Sequence, residues 1–189
     1  MSKPRKIAVL VGSLREASLS RKVAQAFARL APDTLSLSIV EIGDMALYNE
    51  DIEGDVPESW RRFRNEMRDH DAALFVTPEY NRSVPGLLKN AIDVGSRPYG
   101  SSVWAGKPAG VVSVSPGGLG GFGANHHLRQ SLVFLDMPVM QQPEAYLGGA
   151  GGFFDAQGEV KVEGTRKFFA TIIESFAAWV ERILADPER

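Results

Sequence analysis

Apolar residues along the chain follow two spacings, one typical of strands buried in a sheet and the other of amphipathic helices. The continuous apolar run at residues 7–11 predicts a strand that is buried on both faces. The largely apolar segments 72–77 and 109–114 predict two further strands, the first of them also buried. Residues 35–42 alternate between apolar and polar side chains, which predicts a strand nearer the edge of the sheet. A short fifth strand is expected in residues 138–140 and those that follow.

Helical spacing of apolar residues predicts five helices between and after these strands. Pro32 ends the first of them, Pro85 begins the third, and residues 44–57 form a connecting loop. The positions that define the helices are Val23, Ala26, Phe27 and Leu30; Trp60, Phe63 and Met67; Leu87, Leu88, Ala91 and Ile92; residues 123–135 with Leu128, Leu132 and Leu135; and Phe168, Phe169, Ile172, Ile173, Phe176, Trp179, Val180, Ile183 and Leu184. This alternation predicts an open α/β sheet with helices on both faces, in a single domain of residues 1–189.

The amino-acid composition excludes several classes of function but does not identify one. The 189 residues are 44% hydrophobic and 23% charged, which is enough for one sizeable core. With 21 Lys and Arg against 23 Asp and Glu, the net charge of −2 offers no broad basic surface for nucleic acid or an anionic membrane. Because cysteine is absent, disulfides, thiol nucleophiles and Cys-ligated metals are excluded, and redox chemistry would need a cofactor. The apolar runs are too short for a bilayer span or a signal peptide, so we expect a cytoplasmic protein.

In open α/β sheets, ligands bind outside the carboxyl ends of the strands, so the loops after the first, third and fourth strands are the candidates. The first loop, residues 12–20, combines a glycine with Ser13, Ser18, Ser20 and Arg15 just before a helix. These donors favour a phosphate site at the helix N-terminus. The alternative is that Ser18 or Ser20 only caps the helix. The loop lacks the Lys-Ser/Thr ending of a Walker A motif, which argues against ATP or GTP hydrolysis.

The second loop, residues 78–86, places five polar or aromatic side chains between two prolines. Tyr80 offers a flat face for stacking, and the Asn81 amide offers a donor and an acceptor to the edge of a heterocycle. This composition favours a binding loop. The alternative is a polar connection in which Asn81 or Ser83 caps the following helix.

The third loop, residues 113–123, is rich in glycine. Gly118, Gly120 and Gly123 formally match the dinucleotide fingerprint, but that fingerprint belongs in the first strand-to-helix turn and requires a later acidic residue. We therefore interpret the glycines as positions where the backbone approaches a ligand closely. Flexibility without ligand contact is the alternative.

Two of these loops carry a recognisable pattern. The segments are Gly12-Ser13-x-Arg15-x-x-Ser18 and Pro78-Glu79-Tyr80-Asn81-x-Ser83-x-Pro85-Gly86-x-x-Lys89-Asn90-Ala91-Ile92-Asp93, extended by Ala105-Gly106-Lys107-Pro108 and His127-Leu128-Arg129-Gln130. Together they resemble the NADPH-dependent FMN reductase family, and within it the chromate and quinone reductase branch. The resemblance implies a flavodoxin-like, doubly wound five-stranded parallel sheet of order 2-1-3-4-5. It also implies bound FMN, with NADPH or NADH as co-substrate.

The same resemblance nominates cofactor-binding residues on all three loops. The FMN phosphate would be held by Ser13, Arg15, Ser18, Leu19 and Ser20. The flavin would lie against Pro78, Glu79, Tyr80, Asn81, Arg82 and Ser83, and be closed on its other side by Ser115, Pro116, Gly117 and Gly118. Relatives often carry Asn at position 20 and an aromatic or small residue at position 82, so Arg82 is expected to affect which substrates stack over the ring.

The implied function is an FMN-dependent NAD(P)H oxidoreductase that reduces quinones by a ping-pong mechanism, with chromate or azo compounds as side substrates. No catalytic side chain is assigned, because solvent can supply protons at an open site. The alternative is a flavodoxin-type electron carrier. Such a carrier is usually strongly acidic, because the charge helps it to bind its partners, and a net charge of −2 argues against this alternative. A hydrolase is disfavoured because Gly-x-Ser-x-Gly is missing. The resemblance further implies a homodimer or homotetramer.

Three remaining clusters are given structural interpretations. His126 and His127 diverge by about 100° on a helix, so they are not expected to share a metal. Arg61, Arg62 and Arg64 are expected on a solvated helix face. The tryptophans, Trp60, Trp104 and Trp179, are expected in core or interface packing.

Overall fold

The computed structural model describes residues 3–185, and its centre is a five-stranded sheet in which every strand pair is parallel. The strands are β1 (Arg5–Val11), β2 (Leu35–Ile39), β3 (Ala72–Thr77), β4 (Ala109–Val114) and β5 (Ala145–Leu147). Their order is β2-β1-β3-β4-β5, which confirms the predicted flavodoxin-like topology. Since the chain winds to one side after β1 and to the other after β3, the order reverses between these two strands.

Five helices cover both faces of the sheet, as predicted. They are α1 (Leu19–Leu30), α2 (Glu58–Arg68), α3 (Gly86–Gly95), α4 (Phe122–Phe134) and α5 (Glu163–Leu184). One core layer packs α1 and α5 on the sheet around Phe27 and Phe169, whose ring centroids are 5.1 Å apart. The other layer packs α2, α3 and α4 around Trp60, Phe63 and Trp104. Within residues 3–185, no helix is both long and apolar enough to span a bilayer.

Three strands differ from their predicted bounds, although β1 differs only by starting two residues earlier, at Arg5. β2 ends at Ile39 because the chain then leaves the sheet, and Ile42 is buried in the α2–α3 layer instead of pairing with β1. The fifth strand starts at Ala145, whereas Val139 makes only one isolated bridge to the start of β4. Pro138 and Pro143 flank that segment, and since proline donates no backbone hydrogen bond, pairing is interrupted there.

The prediction that Arg64 lies on a solvated face is wrong, because its guanidinium is buried. Its Nη2 lies 2.6 Å from Glu53 Oε1, and its Nε donates to the Val94 carbonyl over 2.9 Å. Position 64 falls on the same helical face as Trp60 and Met67, which is the face that packs on the sheet. The spacing of Trp60 and Met67 already places position 64 on this face, and the prediction was wrong because Arg64 was grouped with its charged neighbours at 61 and 62.

Side chains of two helices hold the connection between β2 and α2 in place. The Ala46 carbonyl accepts hydrogen bonds from the Trp60 indole, over 2.9 Å, and from the Asn90 amide, over 3.0 Å. Asn90 Oδ1 in turn accepts from the Tyr48 backbone amide over 2.8 Å. Residues 46–48 are therefore fixed between α2 and α3.

Candidate cofactor site at the carboxyl ends of the strands

The loops that follow β1, β3 and β4 meet around an open cavity of about 310 Å³. These strands are neighbours in the sheet, so parallel pairing brings their carboxyl ends to one edge. The cavity is lined by Ser13, Arg15, Ser18, Leu19, Ser20, Pro78, Glu79, Tyr80, Val114, Ser115 and Pro116. All but one of these are residues that the sequence nominated. Val114 was missed because it is the apolar last residue of a buried strand and carries no binding signal.

The first loop presents hydrogen-bond donors at the N-terminus of α1. Ser18 is the N-cap, and its Oγ accepts a hydrogen bond from the Arg21 amide over 3.1 Å. Ser18 therefore caps the helix, but its hydroxyl proton is still available to a ligand, so capping does not exclude a phosphate contact. The first turn of α1 has no acidic residue, so the positive end of its dipole is not offset there.

The two arginines near this helix end have different roles. Arg21 binds Glu41 through two contacts of 2.9 Å, and this hydrogen-bonded pairing lowers the pKa of the Glu41 carboxyl. Arg15 is exposed at the cavity and takes part in no ion pair among residues 3–185. Arg15 is thus the guanidinium of the first loop that can bind an anion.

The second loop turns sharply at Asn81 and Arg82. The backbones of Tyr80 and Ser83 exchange hydrogen bonds of 3.1 and 3.0 Å, and the two residues between them have φ values of 52° and 63°. This is the backbone of a tight hairpin turn, which asparagine tolerates well. Neither Asn81 nor Ser83 caps α3, whose N-cap is Pro85, so that alternative is wrong.

The tip of this turn lies at the rim. Asn81, Arg82 and Ser83 do not line the cavity, whereas Tyr80 lines it and is 49% exposed. The Ser83 hydroxyl lies 3.0 Å from His127 Nδ1 and links the turn to α4. The tip therefore has a fixed position beside the cavity.

Gly120, in the third loop, and Gly148, after β5, are positions where two backbone segments pack closely together. A Cβ on Gly120, which has a φ of +61°, would lie 2.6 Å from the Tyr146 carbonyl carbon. A Cβ on Gly148 would lie 2.7 Å from the Gly118 carbonyl oxygen. The loop backbone is thus pressed against the chain that follows β5. Gly117 and Gly118 are not in the cavity lining, although a Cβ on Gly118 would meet nothing within 4 Å.

The two histidines of α4 have separate partners. His126 Nε2 lies 3.0 Å from the Tyr146 hydroxyl, while His127 contacts Ser83. Burial, with a smaller contribution from Glu144, raises the pKa of the Tyr146 hydroxyl. Among residues 3–185, no group of three His, Asp or Glu side chains is arranged to hold a metal ion.

Comparison with known proteins shows which family this chain belongs to. A family model described as NADPH-dependent FMN reductase matches residues 5–152. The chain belongs to that family. A quinone reductase of Pseudomonas putida is 64% identical over 182 residues, covering 96% of this chain and 97% of that protein. A 2-hydroxy-1,4-benzoquinone reductase of a Burkholderia species is 47% identical over 175 residues, covering 93% and 96%.

A solved structure agrees with the family assignment. FerB of Paracoccus denitrificans, a flavoenzyme NAD(P)H:(acceptor) oxidoreductase, superposes with a TM-score of 0.90 at 41% identity, covering 94% of this chain and 98% of FerB. Membership in the FMN reductase family confirms three predictions: the protein is an oxidoreductase, its cofactor is FMN, and NAD(P)H is its electron donor.

The side chains that line the cavity match the two parts of FMN, its phosphate and its planar ring. Serine hydroxyls, backbone amides at an unopposed helix N-terminus and the Arg15 guanidinium form a donor set suited to a phosphate. Pro78 and Tyr80, on the next loop, provide apolar and aromatic surface for a planar ring. A Cβ on Gly12 would lie 3.0 Å from Pro78 Cδ, so glycine lets these two loops meet closely.

Proposed function

We propose that this FMN reductase family member transfers electrons from NAD(P)H to quinones, with residues 1–189 acting as one FMN-binding domain. The observation that carries the proposal is the three-loop cavity, with phosphate donors at the α1 N-terminus and an aromatic rim. The quinone acceptor is supported by the names of the two relatives at 64% and 47% identity. We further propose a cytoplasmic location and a homodimer or homotetramer.

In this proposal the side chains of the cavity bind the FMN phosphate and orient the flavin ring. Ser13, Ser18, Ser20 and Arg15, with Leu19 beside them, hold the phosphate, and Pro78, Tyr80, Ser115 and Pro116 orient the ring. Asn81, Arg82, Ser83, Gly117 and Gly118, which lie outside the lining, are proposed as rim contacts to the flavin or its substrates.

The chemistry that FMN supplies when bound is two-electron transfer from NAD(P)H to an acceptor. We propose that NAD(P)H and the acceptor occupy the same open face in turn, which is a ping-pong order. Chromate and azo compounds are proposed as side substrates that reach the same face. Because the cavity is open, water supplies the protons, and no side chain is given an acid or base role.

A two-step absorbance experiment tests this function. The purified chain is reconstituted with FMN and mixed anaerobically with NADPH or NADH, and 1,4-benzoquinone is then added. We expect the flavin absorbance near 450 nm to bleach and then to return. A protein that cannot be reconstituted with FMN contradicts the whole proposal. Bleaching only with a separate reductase indicates a flavodoxin-type carrier, and no return with quinone contradicts the acceptor.

Replacing Arg15 with alanine should weaken FMN binding by about 10- to 100-fold, because a charge-assisted hydrogen bond to the phosphate is lost. Fluorescence titration of the cofactor-free protein with FMN measures the change. Riboflavin, which lacks the phosphate, should bind equally to the variant and to the unaltered protein. Arg29→Ala, at the other end of α1, is the matched control and should leave FMN affinity unchanged. Equal losses for FMN and riboflavin would show that Arg15 does not bind the phosphate.

A further inference from the structure

We infer that Glu79 is a positioning residue that joins the second and third loops and sets the charge beside the cofactor. This inference rests on the proposed function for its redox part, while its structural part concerns the protein alone. Glu79 lines the cavity, yet its carboxylate is directed towards another element of the protein. Three observations, on capping, packing and charge, support this role.

The first observation is that Glu79 caps α4 from a different loop. Its Oε2 accepts a hydrogen bond from the Ala124 amide over 3.1 Å, and Ala124 lies in the first turn of α4. The helix has no cap of its own, because the N-cap is Gly121 and the first turn contains no acidic residue. A carboxylate at this position satisfies an amide that would otherwise lack a helical partner.

The second observation is the close packing at Gly123, where the start of α4 meets the second loop. A Cβ there would lie 3.0 Å from Glu79 Oε2 and 2.8 Å from the Arg82 carbonyl oxygen. Since only a hydrogen fits, the start of α4 is in direct contact with the second loop. The distance between the second loop, which lines the cavity, and the start of α4, where the third loop ends, is therefore set by the Glu79 contact and by the missing side chain at position 123.

The third observation concerns charge. The Glu79 side chain is only 13% exposed, and its other oxygen lies 3.2 Å from the 72% exposed Arg82 guanidinium. The carboxylate therefore offsets the positive end of the α4 dipole at the cavity. Reduction adds negative charge to a bound flavin, so a nearby carboxylate opposes it. Glu79 is thus expected to hold the midpoint potential of bound FMN below the value it would have without that charge.

The Glu79→Gln variant tests the charge, because glutamine keeps an oxygen that accepts from Ala124. We expect the midpoint potential of bound FMN, measured by anaerobic dye titration, to shift to a more positive value. FMN affinity should change by less than about threefold, since the cap is retained. Glu163→Gln, at the first turn of α5, is the matched control and should leave the potential unchanged. An unchanged potential in Glu79→Gln would overturn the charge role.

Two other variants test the connection between the loops. Glu79→Ala removes the cap, and Gly123→Ala forces the start of α4 away from the second loop while the carboxylate itself is retained. Both should raise the FMN dissociation constant, by about tenfold, and both should speed hydrogen exchange at the Ala124 amide in the cofactor-free protein. The exchange measurement needs no FMN, so it distinguishes failure of this inference from failure of the proposed function. Unchanged exchange in Glu79→Ala would overturn the capping role, and unchanged FMN affinity in Gly123→Ala would overturn the packing role.

Discussion

Replacing Arg64 with alanine should lower the free energy of unfolding by about 3–5 kcal/mol, the usual cost of removing one partner of a buried ion pair. The Arg64 side chain is 6% exposed and that of Glu53 is 18% exposed, so the carboxylate would be left in a largely dry site. The Val94 carbonyl would lose its guanidinium donor as well. Urea unfolding followed by circular dichroism measures the change. The comparison is valid when the free energy of unfolding falls with urea concentration at the same slope in the variant and the unaltered protein.

Arg61→Ala is the matched control for this prediction. Arg61 lies three residues away on the same helix and pairs with Glu58, but its side chain is 51% exposed. Because exposed ion pairs contribute little, we expect a loss of less than about 1 kcal/mol. If both variants lost the same small amount, the buried pair would not stabilise the protein, and the packing derived for α2 would be in error.

Replacing Gly120 with alanine should cost about 2–5 kcal/mol, because two penalties add. A positive φ is unfavourable for any residue with a Cβ, by about 1–2 kcal/mol. The new Cβ would also meet the Tyr146 backbone at 2.6 Å, which a side-chain rotation cannot relieve. The same substitution should weaken FMN binding, since the third loop would no longer pack against the chain after β5.

Gly149→Ala separates these two penalties. Gly149 has nearly the same φ, +66°, but nothing lies within 4 Å of its Cβ position. We therefore expect a cost of only about 1–2 kcal/mol from the backbone conformation. Thermal unfolding of the two variants side by side measures the difference. Equal midpoints would mean that the contact with Tyr146 contributes nothing and that backbone conformation alone determines the effect.

The strands that were predicted best are those whose burial is complete on both faces. Residues 7–11 of β1 and most of β3 and β4 are apolar, so their pattern needs no information from distant residues. β5 has only three residues, and its pairing depends on where β4 lies in space, which local spacing does not encode. The burial of Arg64 similarly depends on Glu53, in a connection whose path the sequence pattern did not predict.

The cavity could be predicted to a large extent because its chemistry is concentrated in three loops. Serines beside a helix start, an aromatic residue between prolines and a run of glycines each have a local physical meaning. Contacts between loops could not be predicted in the same way. The bond from Glu79 to Ala124 joins residues 45 positions apart, and the contact of Gly120 with Tyr146 depends on how β5 is placed.

The fixed connection between β2 and α2 limits how far this enzyme could be shortened. Excising residues 46–53 would remove the acceptor of the Trp60 indole, the partners of the Asn90 amide group and the carboxylate beside Arg64. Each orphaned group would then need a substitution of its own, so a trimmed version would require redesign of α2 and α3 together. A segment that looks dispensable in the sequence is thus part of the minimal scaffold.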